Sequence, residues 1–227
     1  MPNHEKMNTI KYLTPLYTFL LICIIPISKL SAQDWNYQIG LNSANFRFQS
    51  PAGIAQNSFQ PDAGLQLSIL RNDRLVDSAK TKSAFVRKLN YQVGIDIYQF
   101  NSFGETQNVP FSYSSTYVGL KLGLGMKSHV GRGVSLSYNG IMQINQLVLE
   151  SQKMGNLVYN LQGNKQFDRI QWQIGGEIKL AKQINDHTAI FAYFSEAWQL
   201  NTIQKDGSQF AINPVSFGFG IQYSPLR

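Results

Sequence analysis

Cysteine is nearly missing from this sequence: Cys23 is the only one in 227 residues. No disulfide bond, thiol nucleophile or thiolate metal site is therefore available to the chain beyond it. A lipid-modified amino terminus is not indicated either, because the large Ile22 stands where a lipoprotein signal has a small residue.

Long hydrophobic runs are also lacking. The one apolar segment, residues 16–27, is shorter than the about 20 residues that a membrane-spanning helix needs. Lys6 and Lys11 precede this segment, and Leu30-Ser31-Ala32 follows it with a small residue for cleavage. This order is typical of a secretory signal, so we predict a cleaved signal peptide at residues 1–32 and one domain at residues 33–227.

Charge is low and only mildly unbalanced. Without residues 1–32, the chain keeps 17 basic and 12 acidic side chains, which leaves a net charge of +5. No stretch interleaves basic and aromatic residues in the way that nucleic-acid-binding surfaces do, and an exported protein rarely meets nucleic acid. We therefore expect no nucleic-acid partner.

The sequence does contain alternation with the period of a β-strand. From Val215 to Tyr223, bulky apolar residues occupy one face, while serine, glycine and glutamine occupy the other. Seven earlier segments repeat this pattern, although the seventh is apolar on both faces and its orientation stays open. The eight predicted strands cover about residues 35–48, 62–70, 89–98, 118–126, 134–139, 170–180, 188–200 and 215–223.

Charged residues indicate which face of these strands meets lipid. Asp96, Lys121, Glu177 and Lys179 all fall on the polar face of their strands. A Lys or Arg that faced the middle of a bilayer would cost about 2–4 kcal/mol. We therefore predict an all-β fold, an eight-stranded antiparallel up-and-down transmembrane β-barrel. The four residues are expected to form a charge cluster in its lumen, with Lys121 paired to Asp96 or Glu177.

Soluble β-folds fit the pattern less well. A soluble eight-stranded barrel would place its larger apolar residues inside and its charges outside, which is the reverse of the predicted arrangement. A two-sheet sandwich also has alternating strands, but the face away from its core rarely carries glycine as often as residues 118–126 do.

The connections are expected to differ in length at the two ends of the barrel. With the amino terminus in the periplasm, the inner turns at residues 128–132 and 183–187 are short. The outer connections are longer and polar, as is usual for such barrels. They cover residues 49–61, 101–112, 151–166 and 201–214.

Residues 71–88 are an exception, because this inner connection is long and basic. One interpretation is that two strands extend beyond the membrane as a charged hairpin. The other is a docking surface for a protein partner. The basic side chains of this segment are Arg71, Arg74, Lys80, Lys82, Arg87 and Lys88.

Aromatic residues near the predicted strand ends suit the belts that anchor a barrel at the two membrane interfaces. At the inner end they are Trp35, Tyr37 and Tyr223. At the outer end they are Phe46, Phe48, Phe100, Phe111 and Tyr113.

Histidine is scarce, and its placement argues against catalysis. Beyond the predicted signal peptide only His129 and His187 remain, and both fall in predicted inner turns. A nucleophile needs its base within hydrogen-bonding reach, and no histidine is left at the outer rim to activate a serine there. With Asp186 the two histidines would form only a weak metal constellation, since they lie in separate turns. We expect no catalytic residue, no metal and no cofactor.

Three stretches carry a resemblance to a known family. Ser216, Gly218, Ile221 and Tyr223 match the spacing by which the barrel-assembly machinery recognises closing strands. The run from Tyr37 to Phe46 and the Phe167-Asp168 pair ahead of Gly175-Gly176-Glu177 resemble further strands of the OmpA-like, PorT-like outer-membrane β-barrels. This resemblance implies the outer membrane of a Gram-negative bacterium, with lipid and lipopolysaccharide as surroundings. Some relatives serve protein secretion, and most have no assigned activity.

An eight-stranded barrel has an interior that side chains just fill, so an open diffusion pore is not expected. We predict a non-enzymatic barrel with a structural or partner-binding role. A narrow path for small solutes, a secretion-accessory role and, less favoured, lipid A modification remain as alternatives.

Overall fold

The computed structural model describes residues 34–49, 55–56, 60–76, 82–106, 109–160, 170–201, 203–205 and 208–225. The predicted signal peptide at residues 1–32 lies outside this range. Lys80 of the basic segment and the Phe167-Asp168 pair lie outside it as well.

Eight long strands make up the fold. Each pairs antiparallel with its neighbour in the chain, and the last pairs back onto the first, so the sheet closes into an up-and-down barrel. The strands are β1 (Asp34–Gln49), β2 (Gln60–Arg74), β3 (Leu89–Thr106), β4 (Val109–Gly131), β5 (Val134–Met154), β6 (Gln171–Gln183), β7 (Thr188–Gln199) and β8 (Ser208–Tyr223).

Few other elements accompany these strands. Three short strands, Ala55–Gln56, Leu157–Asn160 and Ile203–Lys205, pair with β1, β5 and β8. A single turn of 3-10 helix, Val86–Lys88, precedes β3. Within the described part of the chain, no helix has the length and apolar character to cross a bilayer.

The closing ladder between β1 and β8 is long and regular. It runs without a register shift from Trp35 opposite Tyr223 to Gln49 opposite Gln209. Closure leaves no barrel strand with an open edge, so the backbone donors and acceptors along this seam are paired. The end that holds Asp34, Tyr223 and the short turns is called the turn end here, and the opposite end is called the loop end.

Side chains alternate between lumen and exterior as the sequence pattern predicts. On β1, Asn36, Gln38 and Asn42 are buried, while Ile39 and Leu41 are 56% and 61% exposed. The leucine-rich face of residues 118–126 likewise points outward, and Gly119 and Lys121 point inward. Soluble proteins bury such leucines, and an exposed apolar surface that continues around the barrel requires lipid as its solvent. The predicted transmembrane β-barrel is therefore confirmed.

The structure also resolves the orientation of β7, which the sequence left open. Phe191 and Tyr193 are 3% and 2% exposed and point into the lumen, whereas Phe194 and Trp198 point outward. Glycines on β8 make this possible. A Cβ atom on Gly218 would lie 2.8 Å from the Tyr193 ring, and one on Gly220 would lie 2.3 Å from the Phe191 ring. The two rings thus occupy space that side chains on β8 would otherwise fill.

The predicted outer loops at residues 101–112, 151–166 and 201–214 all contain strand, and β8 begins at Ser208 within the last of them. β3 and β4 pair as far as Thr106 opposite Val109, and β4 and β5 pair as far as Phe111 opposite Met154. The β-ladder therefore includes residues 101–106, 109–112 and 151–154, because cross-strand hydrogen bonds continue beyond the membrane. At the turn end, β4 likewise continues to Gly131. Arg132 and Gly133 then turn the chain with positive φ values of 45° and 74°.

The aromatic belt predicted for the outer end is partly wrong. Phe46 and Phe100 are 9% and 0% exposed, and both point into the lumen instead of toward the membrane interface. Their positions have the inward phase of β1 and β3, which decides their direction regardless of residue type. Tyr37 and Tyr223, in contrast, are on the outer surface near the turn end as predicted, at 49% and 46% exposure.

Substitution of an outer-face residue by arginine tests whether this face contacts lipid or water. Ile39 lies between Leu67 of β2 and Phe219 of β8, all of them exposed. We expect Ile39→Arg to lower the free energy of unfolding by about 2–4 kcal/mol in phospholipid vesicles, because the charge would face hydrocarbon. Urea titration followed by tryptophan fluorescence measures this change. Asn45→Arg, on the same face of β1 nearer the loop end, is the matched control and should cost clearly less. Equal effects would contradict a lipid-facing belt.

Candidate functional site

The four predicted lumen charges lie together inside the barrel. Asp96 comes from β3, Lys121 from β4, and Glu177 and Lys179 come from β6. Lys121 Nζ lies 2.6 Å from Glu177 Oε2 and 3.9 Å from Asp96 Oδ2, and Lys179 Nζ lies 3.6 Å from Glu177 Oε1. All four residues are at most 2% exposed. Two cations and two anions balance each other, so the cluster is formally neutral.

Glycines flank Lys121 on the inward face of β4 and give space to amide side chains of neighbouring strands. Gly119, Gly123 and Gly125 share the inward face of β4 with this lysine. A Cβ atom on Gly123 would lie 2.4 Å from the side chain of Gln92, which therefore occupies the space above that glycine. Lys121 meets Glu177, two strands away in the sheet, within hydrogen-bonding distance.

Neutral side chains complete the coordination of the charges. Gln92 Nε2 donates to Glu177 Oε1 over 3.3 Å, and the Tyr98 hydroxyl donates to Asp96 Oδ2 over 2.8 Å. Gln143 Nε2 in turn donates to the Tyr98 hydroxyl. Buried charges are tolerated only when ion pairs and hydrogen bonds offset their lost hydration, and this network supplies both.

The loop-side half of the lumen is filled with apolar and aromatic side chains. The rings of Tyr98 and Phe100 stack with centroids 5.7 Å apart, and Phe100 lies 5.4 Å from the ring of Tyr117. Tyr117 keeps its hydroxyl paired by accepting a 2.8 Å hydrogen bond from Gln171 Nε2. We call this group the lumen plug; it comprises Ala44, Phe46, Tyr98, Phe100, Tyr117, Leu147 and Ile212.

The sequence did not predict this plug. Its residues lie on the same inward faces as glutamines and asparagines. Strand periodicity assigns a whole face to the lumen or to the lipid, and it does not distinguish single positions within that face. The available signal was that Phe100 and Tyr117 continue the polar rows of β3 and β4.

The turn-side half of the lumen carries more polar side chains, although Ala181, Phe191 and Tyr193 form a second buried apolar cluster there. Asn36 and Gln38 are 0% and 4% exposed, yet their amide groups have no hydrogen-bond partner among the described residues. Lys179 Nζ makes no hydrogen bond there either, although it lies 4.7 Å above the centroid of the Phe191 ring. Buried amides without protein partners are usually satisfied by ordered water, so we expect this half to be hydrated.

The two histidines lie closer together than the sequence predicted. His129 is near the end of β4 instead of in the predicted turn, and His187 is in the turn before β7, but both line one recess at the turn end, together with Asp186, Lys127 and Ser135. His187 Nδ1 lies 3.0 Å from the backbone oxygen of Ser224, to which it can donate. Within the described residues, no three His, Cys, Asp or Glu side chains are arranged to hold a metal ion. The recess is therefore a polar surface without an arrangement of ligands for a metal ion among the described residues.

The other predicted residues lie on the barrel surface and along its closing strand. The described part of the basic segment is at the turn end, where Arg74, Lys82, Arg87 and Lys88 are exposed. β2 reaches Arg74, opposite Asn90 of β3, so the two strands do extend as a hairpin at this end. In the assembly motif on β8, Ser216 and Gly218 point inward, and Ile221 and Tyr223 point outward with about half of their surface exposed.

Comparison with known proteins yields similarity of structure only. No protein-family model matches the sequence, and no curated protein does. A major outer membrane protein from Thermus thermophilus aligns with a TM-score of 0.48 and 10% identity, over 86% of this chain and 100% of that one. OprG from Pseudomonas aeruginosa aligns with a TM-score of 0.47 and 11% identity, over 86% and 97%. Similarity this low carries no inference about activity, ligand or partner.

Removing one member of the charge cluster tests its contribution to stability. Lys121→Met leaves Asp96 without its nearby cation and Glu177 with Lys179 alone. We expect a loss of about 3–5 kcal/mol in the free energy of unfolding, because buried charges then lack compensation. Denaturant titration in detergent measures it, with Lys153→Met, an exposed lysine, as the control. Adding Glu177→Gln should cost less than the two single changes combined. Additive losses would show that the pair does not act as a unit.

Proposed function

We propose that this chain is an exported integral outer-membrane β-barrel protein that performs no catalysis and acts as a structural or partner-binding barrel. The observation that supports this most directly is the pairing of an apolar outer surface with a lumen packed by the lumen plug and the charge cluster. The apolar outer surface requires lipid as its solvent. The packed lumen leaves little space for a solute to pass or for a substrate to bind.

The outer membrane is the compartment that fits the fold and the predicted signal peptide together. Closed barrels satisfy every backbone group without helices, and a strand with alternating polarity passes through the inner membrane unrecognised as a spanning helix. The proposed surroundings are lipid and lipopolysaccharide, and the proposed assembly route is the barrel-assembly machinery acting on Ser216, Gly218, Ile221 and Tyr223. Membership of the OmpA-like, PorT-like barrels is part of this proposal.

The partner-binding role rests on the basic segment at residues 71–88. Exposed cations at one end of a barrel contribute little to its contact with the hydrocarbon of the membrane. They are suited to contact with a soluble protein that carries acidic groups. Crosslinking from Lys82 in intact cells tests this role, since recovery of one stoichiometric partner would identify it. If that partner were still recovered after residues 71–88 had been replaced by a short turn, this segment would not be the partner-binding surface.

A narrow path for small solutes is the second candidate function. The observation in its favour is the polar turn-side half of the lumen with its unpaired amides at Asn36 and Gln38. The lumen plug argues against such a path, because it fills the loop side of the lumen.

Lipid A modification has less support, because Ser224 Oγ donates to Asp34 and no hydrogen bond between a serine hydroxyl and a histidine occurs among the described residues. An acyl-chain change in lipid A that His187→Ala abolishes would reverse this judgement.

Conductance distinguishes a filled lumen from a path. In planar bilayers we expect the purified protein to show no steady large conductance, because the lumen plug leaves no continuous water column. Phe100→Ala combined with Tyr117→Ala removes two stacked rings from the plug and should raise the conductance. Phe103→Ala, which removes an exposed ring from the outer face of β3, is the control. Steady conductance by the unmodified protein would contradict the proposal.

A further inference from the structure

Basic and imidazole side chains line the recess at the turn end of the lumen. Lys127 and His129 continue the inward-facing row of β4 beyond Lys121, so their side chains line the mouth of the lumen and not the lipid-facing surface. His187 approaches the same recess from the turn before β7. Three nitrogen-bearing side chains therefore surround one opening.

The charge of the whole turn end is predominantly positive, although the recess itself is lined by one lysine, Lys127, and one aspartate, Asp186. Within the described residues, the acidic side chains of this end are fewer than the basic ones. The basic residues are Arg71, Arg74, Lys82, Arg87, Lys88, Lys127, Arg132 and Lys182, and the acidic ones are Asp34, Asp73 and Asp186. The carboxylate of Asp34 already accepts hydrogen bonds from Gln222 Nε2 and Ser224 Oγ. An approaching anion therefore meets a field that attracts it.

The recess and the basic segment form one continuous surface. The 3-10 turn Val86–Lys88, which carries Arg87 and Lys88, contacts β4. The same strand presents Lys127 and His129. Cations thus extend from the recess onto the adjacent exposed segment, a span that suits an extended chain with several acidic groups better than a single small anion.

Membrane lipid is poorly placed to occupy this site. Ser135 and Gln222 line the recess, and they are 7% and 4% exposed because their side chains face the barrel interior. Phospholipid headgroups surround the perimeter of a barrel, whereas this recess lies over its lumen. The position therefore favours a ligand that arrives from the aqueous side.

From these observations we infer that the turn-end recess is a binding site for an acidic peptide segment of a soluble partner, with Lys127 and His129 as recess contacts and residues 82–88 as the outer contact. The inference rests on the proposed membrane orientation, in which this end faces the periplasm, and it adds the chemical class of the partner. Carboxylates of the segment would accept hydrogen bonds from Lys127 Nζ and from the exposed cations nearby.

Fluorescence anisotropy on the full chain, folded in zwitterionic nanodiscs, tests the site. The probe is a fluorescein-labelled peptide of ten glutamates, and a peptide of ten glutamines is its neutral counterpart. We expect the acidic peptide to bind and the neutral peptide to bind at least about tenfold more weakly. Binding should weaken when the salt concentration rises from about 0.02 M to about 0.5 M, since the contacts are charged.

Two lysines of equal charge and different direction provide the matched comparison. Lys127 faces the recess, whereas Lys182 faces outward on β6 and donates to the backbone oxygen of Arg132. We expect Lys127→Gln to weaken peptide binding by about five- to tenfold and Lys182→Gln by less than about twofold. Heat-dependent gel mobility confirms that both variants are folded before they are compared.

Several results would overturn the inference. Equal losses in the two lysine variants would indicate diffuse attraction to the whole end. Complete displacement of the peptide by about 10 mM inorganic phosphate, or by vesicles that contain phosphatidylglycerol, would indicate a small-anion or lipid site. A folded, non-conducting barrel that binds neither peptide would refute this inference alone, whereas a conducting barrel or one found outside the outer membrane would refute the proposed function.

Discussion

The constraint on which this structure depends is that backbone amides in hydrocarbon have no water to bind. Each N–H and C=O must find a partner within the protein, and a sheet can meet this demand only by closing on itself. The ladder from Trp35–Tyr223 to Gln49–Gln209 is where the closure occurs. Once the sheet is closed, each side chain points either into the lumen or toward the lipid, and the apolar face of each strand points toward the lipid.

Closure then imposes a packing problem on the interior. A ring of eight strands encloses a space of fixed width, and the side chains that fill it must be polar at one depth and bulky at another. This chain solves it in layers: an amide-rich region toward the turn end, a neutral ion cluster at the middle, and the lumen plug toward the loop end. Glycines such as Gly123, Gly218 and Gly220 are the counterparts of the large side chains, because each gives space to a ring or an amide.

Prediction from the sequence succeeded wherever one face of a strand was uniform. For β1, β3 and β4 the apolar and polar rows were clean, and their directions follow from a period of two. It did not determine the direction of β7, since Phe191 and Phe194 are equally apolar and only the glycines of a neighbouring strand distinguish lumen from lipid. It also misplaced Phe46 and Phe100, because aromatic residues near strand ends suit both an interfacial belt and a lumen plug. The residues of the charge cluster were identifiable individually, but not their distances.

The sequence by itself determined that this chain is a barrel with lipid outside. A charge in hydrocarbon is costly, so every second residue of a membrane-spanning strand is apolar. The sequence also identified four residues that carry interior charge, although not the buried Glu150. Only the tertiary structure decided which of those residues meet, and that Lys127 and His129 of β4 and His187 of the turn before β7 surround one opening. Such contacts depend on strand register and on the curvature of the closed sheet, and both are properties of the assembled ring that no local stretch of chain contains.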